Sequence, residues 1–324
     1  MSLKQVSTAL KKYKNFLITT HTNPDADALA SCLAMSVFLR SKGKGARVVF
    51  AENVPAWLKF LPHGSSVKKY KRGERVKFDA AIVLDCGDIK RPGVVTELLK
   101  SPQAVLINID HHVTNTNFGD YNWVAPGSSS TSEILFDLFQ ANSFIPTRAM
   151  AILLYAGIMT DTGSFRFENT SAHTHAVVAL LMRQKFSVPE MYHRLYEGVP
   201  IQNLNDFVRI LNQVQLLPGN RVAHVALREE LIQQFSKRFD LRDKIFTFFR
   251  SFDGVEAIVI FTQLKNGQTR VNFRSQKILD VAQLAKQFGG GGHARASGCT
   301  LNEPLNSVRA KILSAIRKKL PWKA

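Results

Sequence analysis

Residues 16–27 read FLITTHTNPDAD, and this stretch decides the fold class. Its first five residues are apolar or β-branched, the pattern of a strand buried on both faces. Pro24 stops the strand and bends the chain. His21, Asp25 and Asp27 follow the strand at i, i+4 and i+6. From about residue 27 to 41 the pattern turns helical, ending near Gly43. A buried strand, a polar loop and a helix in succession predict a unit of a parallel α/β sheet.

Outward from this unit the same pattern repeats. Residues 46–51 (ARVVFA), 80–85 (AAIVLD) and 104–110 (AVLINID) read as further buried strands. A short amphipathic helix is expected over 4–15 and another helix around 94–100, with a basic loop at 68–77. Three strands end in polar clusters, at 21–27, 85–88 and 110–112. Open α/β sheets bind ligands beyond the carboxyl ends of their strands, so these clusters mark the expected site. Helices are expected at 131–142, 147–159 and 172–185, with Asp161 in the polar gap between the last two.

Around 187–200 the apolar pattern weakens and Pro189, Gly198 and Pro200 accumulate. The expected organisation is a first domain over 1–190, a linker over 191–205 and a second domain over 206–324. The second part predicts a helix at 202–214, a strand at 221–227 and further helices to about 251. Strand-like runs at 255–264 and 268–274 flank Lys265-Asn266-Gly267, a hairpin signal. A helix at 279–288, a glycine run at 289–292, a short strand and a basic helix follow. The expected fold is α/β, a parallel-sheet domain followed by a smaller mixed α/β domain.

The 324 residues carry 43 Lys+Arg against 25 Asp+Glu, a net charge of +18. The excess is greater in residues 191–324, with 21 basic and 10 acidic residues. Such a field attracts polyanions, although it also serves solubility alone. Cys32, Cys86 and Cys299 are odd in number and far apart, which excludes a disulfide framework and a thiolate zinc site and fits a reducing cytosol. The first residues lack a signal-peptide pattern, and the longest nearly apolar run, 149–159, is too short for a bilayer. A cytoplasmic protein with no membrane association is expected.

The polar clusters point to metal chemistry. Asp25 and Asp27 would repel each other without a nearby cation, and a mixed nitrogen and oxygen set suits Mn, Mg, Fe or Zn. Helix capping is the simpler reading of either aspartate. Asp85 ends a strand, where aspartates serve both as ligands and as turn formers. His111 and His112 are adjacent and point differently, so one can bind metal while the other faces substrate; Asp110 can orient an imidazole. His173, His175, His193 and His224 show no convergent partners and are expected to be structural or exposed.

HTNPDAD (21–27), VLDCGD (83–88), DHH (110–112) and TDTGSF (160–165) together resemble the DHH-family phosphoesterases in order and spacing. GGGGHARASG (289–298) resembles the glycine-rich motif of the DHH-associated domain. By length and layout the chain is similar to the nanoRNase branch, which combines oligoribonuclease and pAp (3′-phosphoadenosine 5′-phosphate) phosphatase activities. The resemblance implies two divalent ions, usually Mn²⁺ with Mg²⁺ as the alternative. His21 and Asp25 would hold one ion, Asp27, His111 and Asp161 the other, and Asp85 would bridge both. His112 would face the scissile phosphate as acid or charge stabiliser, with Asp110 behind it. Arg274, Ser275, Gly291, Gly292 and His293 would contact substrate, a short RNA or small nucleotide. Two positions depart from the family pattern: Ala30 replaces a glycine and Ser297 an alanine. Rival readings are a cyclic- or linear-dinucleotide phosphodiesterase and a non-enzymatic nucleic-acid-binding protein. The oligomeric state is open, a homodimer being one option.

Overall fold

The computed structural model describes residues 3–101, 104–235 and 239–320. The chain divides into two compact units, Met1–Leu195 and Tyr196–Ala324. The first begins with α1 (Leu3–Lys12), β1 (Asn15–Thr19), α2 (Ala26–Ser41), β2 (Gly45–Phe50), β3 (Lys68–Lys69) and β4 (Ala80–Leu84). It continues through α3 (Thr96–Leu99), β5 (Val105–Asp110), β6 (Tyr121–Val124), α4 (Thr131–Ala141), α5 (Arg148–Asp161), α6 (Ala172–Met182) and α7 (Val188–Tyr192). The six strands lie in the order β3-β2-β1-β4-β5-β6, and every pairing is parallel. The order reverses between β1 and β4. At such a reversal the connections leave the sheet in opposite directions, and the crevice beyond the carboxyl ends is where this architecture takes ligands.

Packing explains the apolar strands. On one face α2 covers β1 and β2 and is itself covered by α5. Helix α2 is therefore apolar nearly all round, with Leu29, Leu33 and Met35 fully buried. Ala30, which departs from the family pattern, is fully buried within it. On the other face Leu17, Val49, Val83 and Leu106 pack with Val95 and Leu99 from the segment around α3.

Two strands carried no readable apolar signal. β3 is two exposed residues inside the expected basic loop, anchored by buried Tyr70, and Arg72 there pairs with Glu97 at 2.8 Å. β6 reads YNWV, and its buried Asn122 donates to the Gly119 carbonyl at 2.6 Å. A third departure concerns Asp161, which is the last residue of α5 and not a member of a gap. Thr160 hides this end of the helix from the apolar pattern, because its hydroxyl bonds back to the Ala156 and Gly157 carbonyls.

The expected linker, 191–205, folds as successive helical turns, including His193–Glu197 and Ile201–Asn203. The second unit then holds α8 (Leu204–Leu211), β7 (Gln215–Leu216), β8 (Val222–Arg228), α9 (Glu229–Phe235), α10 (Leu241–Arg250) and β9 (Ala257–Gln263). β10 (Thr269–Ser275), α11 (Val281–Lys286), β11 (Gly291–His293), β12 (Ala296–Leu301) and α12 (Leu305–Lys319) complete it. Its sheet runs β11-β12-β10-β9-β8-β7 and is mixed, β8 and β9 being parallel. One face packs Val259, Phe261 and Phe273 against α11 and α12; the other packs Val225, Ile258 and Ile260 against α9 and α10. Among the described residues no helix is long and apolar enough to cross a membrane.

Candidate metal centre

The chain leaves β1 at Thr19 and β4 at Leu84, side by side in the sheet, so His21 and Asp85 emerge at the topological switch point. Asp85 takes φ +52°, a left-handed conformation rare for a non-glycine residue, which costs of order 1–3 kcal/mol. The turn is held by its backbone N–H, which donates to the Ile109 carbonyl at 3.1 Å. This strain brings the carboxylate among three imidazoles. His21 Nε2 lies 3.5 Å from Asp85 Oδ2, His111 Nε2 3.4 Å from Oδ1, and His112 Nδ1 3.7 Å from Oδ1.

Within the first unit three sets of ligand atoms converge, each within 4.8 Å, and Asp85 belongs to all three. They are His21 with Asp25, Asp27 with His111, and Asp110 with His112. Asp25 also caps α2, its Oδ1 accepting from Ala28 N–H at 3.0 Å. Capping and ligation are compatible, since the cap occupies one oxygen. Asp161 joins through His111, whose Nε2 lies 3.1 Å from its Oδ2. Asp88 takes no part; its carboxylate accepts the Lys90 N–H at 2.7 Å.

The ring orientations follow from their backs. His21 Nδ1 sits 2.8 Å from the Thr22 carbonyl, which accepts only from an N–H. Nε2 faces Asp85, where it offers a lone pair to a cation or, in the imidazolium, a proton to the carboxylate. His112 Nδ1 is 2.6 Å from Asp110 Oδ1, and Asp110 Oδ2 accepts from Asn115 at 2.6 Å. Asn115 also donates to Asn108, a buried residue of β5. Both Asp110 oxygens are thus engaged in orienting His112.

Asp27 is fully buried and accepts two backbone N–H groups at the start of α4, Thr131 at 2.8 Å and Ser132 at 3.0 Å. The Thr131 hydroxyl donates to Asp85 at 3.1 Å. Buried Glu133 accepts from Ser129 at 2.6 Å and Thr174 at 2.7 Å, fixing this turn. Close approach from α5 is permitted by Gly157, where a Cβ would overlap Asp27 Oδ1 and Ser132 Oγ. The α4 turn, Gly157, Asn108 and Asn115 were missed in the sequence reading. A signal existed for the first: Ser130 precedes Glu133 by three, a helix-start pattern.

Protonation in this cluster is dictated by crowding. Burial, then Asp161 and Asp85, push the Asp27 carboxyl well above its usual range. Burial also pushes Asp161 up to about 6, despite the His111 imidazole beside it. Burial opposes ionisation of Asp85 as well, but hydrogen bonds from His111 and His21 hold it well below the ordinary value. On His21 and His111 burial acts downward, and the surrounding carboxylates outweigh it to raise both. Carboxylates forced together in a buried site demand positive charge. The oxygen and imidazole donors here fit hard or borderline divalent cations.

In the second unit the candidate substrate contacts share one corner of the sheet. Arg274 and His293 are both in register with Ala296. Arg274 lies on an interior strand of the sheet. Its guanidinium stacks 4.8 Å from the Phe246 ring and donates to the Phe273 carbonyl at 3.0 Å. Ser275 is buried, with its hydroxyl 3.4 Å from the Ala294 carbonyl. The glycine run is not a loose loop, because Gly291 and Gly292 form outer strand β11. Gly292 has φ +138°, and a Cβ there would strike the β12 backbone, so packing demands glycine. Arg295 donates to the Leu279 carbonyl at 3.3 Å. Ser297 bonds the Val281 carbonyl, which gives its hydroxyl a packing role.

Of the histidines set aside, His173 does have a partner, Asp137 at 3.1 Å, an interaction that 36 residues of sequence separation concealed. His224 is buried in β8.

Comparison with known proteins agrees with the geometry. Residues 15–158 match the DHH family N-terminal domain, and residues 240–320 match the DHHA1 domain. The chain is 29% identical to the bifunctional oligoribonuclease and PAP phosphatase NrnA of Thermus thermophilus, over 94% of this chain and 89% of the relative. It is 28% identical to the protein of that name from Bacillus subtilis, over 89% and 90%. An exopolyphosphatase-related protein from Bacteroides fragilis has the same fold, with a TM-score of 0.84 at 22% identity, over 97% and 94% of the two chains. With both domains matched in order and the aspartates and histidines of the motifs gathered around Asp85, the chain belongs to the DHH family of metal-dependent phosphoesterases.

Proposed function

We propose that this protein hydrolyses short oligoribonucleotides to 5′-mononucleotides, and pAp to AMP, using two divalent ions, most naturally Mn²⁺. The observation that carries the reading is the sharing of Asp85 by all three ligand clusters within the first unit. One carboxylate common to neighbouring sets is what a bridged pair of ions requires. The NrnA relatives, matched over nearly the whole chain, supply the substrate class.

His21 and Asp25 would hold one ion, Asp27, His111 and Asp161 the other, with Asp85 between them. Such a pair acidifies a bound water and neutralises phosphoryl charge. The chain's residues do the rest. The α4 turn fixes Asp27 through two backbone N–H groups, so the ligand cannot swing away. Asp110 holds His112 with Nδ1 toward itself, leaving Nε2 to donate a proton or hydrogen bond to the phosphate or the leaving oxygen. Arg274 and Ser275 would take a phosphate of the substrate, with the β11 backbone at Gly291 and Gly292 and the His293 ring beside them. A cytoplasmic location accords with such substrates.

The test is product analysis. Protein with Mn²⁺ receives a dinucleotide, a longer RNA, pAp, cyclic di-AMP and pyrophosphate in parallel. Release of mononucleotides from the dinucleotide and AMP from pAp, both lost with chelator, is the expected result. Preference for cyclic di-AMP or pyrophosphate would overturn the substrate assignment, and no turnover of any would overturn the activity.

A further inference from the structure

A cavity of about 300 Å³ opens in the second unit, lined by Asn212, Gln213, Gln215, His224 and Arg309 together with two apolar residues of β8. Among the described residues no carboxylate lines it. His224 is 4% exposed, and among the described residues neither ring nitrogen has a hydrogen bond; its aromatic neighbour is Phe261. Neither ring nitrogen is among the buried unpaired polar atoms, so the ring's hydrogen-bonding capacity is accessible from the cavity it lines. Arg309 donates to Gln215 Oε1 at 2.6 Å, which turns the Gln215 amide nitrogen away as a free donor. Burial, and after it the positive charges of Arg309 and Arg317, push His224 down to about 4.

The cavity is separate from the Arg274 corner. Val222, two residues from His224 on β8 and on the same face, packs with Phe273, Val308 and Ile312 on the α12 side. The Arg274 guanidinium stacks on Phe246, a residue of the opposite core.

We propose that this cavity is a binding site for a phosphate monoester of mononucleotide size. The guanidinium and the imidazole N–H would take the phosphate, and the amides of Asn212, Gln213 and Gln215 would take the sugar or base. The volume is at the small end for ligand pockets, far above the ~30 Å³ share of a water and too small for an oligonucleotide. This proposal does not depend on the metal-centre reading.

The experiment follows the histidine ring resonances of the chelated full-length protein by NMR, with His224 assigned by its loss in His224→Gln. The probes are inorganic phosphate, AMP and adenosine. Phosphate and AMP are expected to shift the His224 signal saturably, and adenosine is not. Arg309→Gln is expected to raise the half-saturating concentration about tenfold, as loss of a charge-assisted contact should, and Arg309→Lys less. Asp85→Asn, which disables the metal centre, should leave the effect of AMP on His224 unchanged. Phosphate without AMP would identify a phosphate site; AMP at lower concentration than phosphate would identify a nucleotide site. No shift with either, a shift with adenosine alone, or an effect insensitive to Arg309→Gln would overturn the proposal. Should His224→Gln fail to fold, the two Arg309 variants carry the test. Dinucleotide turnover, measured separately in Arg309→Gln, reports on the metal centre alone.

Discussion

Gly157→Ala asks whether α5 truly touches the metal-ligand turn. In an unconstrained helix interior, alanine is favoured over glycine by about 1 kcal/mol. Here the added methyl would overlap Asp27 Oδ1 and Ser132 Oγ, both in a fully buried region. Overpacking of this kind costs about 1–3 kcal/mol. Displacing Asp27 also strains its two N–H bonds, and hydrogen bonds to a charged group contribute about 1.5–3 kcal/mol each. Partial loss of one such bond with the packing cost exceeds the propensity gain, leaving a net destabilisation of about 2 kcal/mol. For a unit of this size that is a fall in Tm of roughly 4–8 °C. Thermal unfolding is measured with chelator, to exclude stabilisation by bound ions, and Mn²⁺ affinity by titration calorimetry. The affinity is expected to fall about 10–100-fold, the usual consequence of disturbing a ligand's support. A variant more stable by ~1 kcal/mol, the propensity gain alone, with unchanged metal affinity would refute the close approach.

Other expectations can be checked with simple variants. Asp85→Asn should abolish metal-dependent turnover and remove most of the calorimetric Mn²⁺ signal, because all three ligand sets of the first unit include this residue; retained turnover would exclude the bridging role. Asn115→Ala, which deletes a 2.6 Å bond to Asp110, should lower kcat about tenfold at unchanged metal affinity, since it loosens only the support of His112. Stability should depend on pH through His224. Its folded-state value of about 4 lies below the unfolded value of 6.5, so the unfolded chain binds the extra proton. This contribution is fully present above pH 6.5 and is lost as pH falls toward 4. Between pH 7 and 5, urea unfolding should show a loss of about 1–2 kcal/mol that is missing in His224→Gln; equal losses in both proteins would remove His224 as the cause.

The first unit shows how far local pattern reaches. Strands β1, β4 and β5 are buried on both faces over most of their length, so β4 is a continuous apolar run and β1 and β5 are largely so, legible without knowledge of their neighbours. β6 escaped notice because an edge strand pairs on one side and admits residues such as Asn122. In the second unit the alternation of β10 and its Asn-Gly turn are equally local, and Gly267 has φ +82° as such a turn requires. Asp161 was placed outside the helix it ends, since nothing in Thr160-Asp161 announces that the helix continues.

The sequence by itself determined the parallel α/β class and the strand ends at which His21, Asp85, His111 and His112 stand, because burial and strand termination are written in runs of neighbouring residues. The family motifs single out the same residues as candidates for the same reason. Only the tertiary structure decided that Thr131 and Ser132 clamp Asp27 across more than 100 residues of chain, that Gly157 leaves room for them, and that Asn115 reaches Asp110. It likewise decided that His224 faces a cavity beside Arg309. Contacts of this kind join distant segments through the register of strands and the closeness of helices. Such distances are set by packing in three dimensions, which no local spacing encodes.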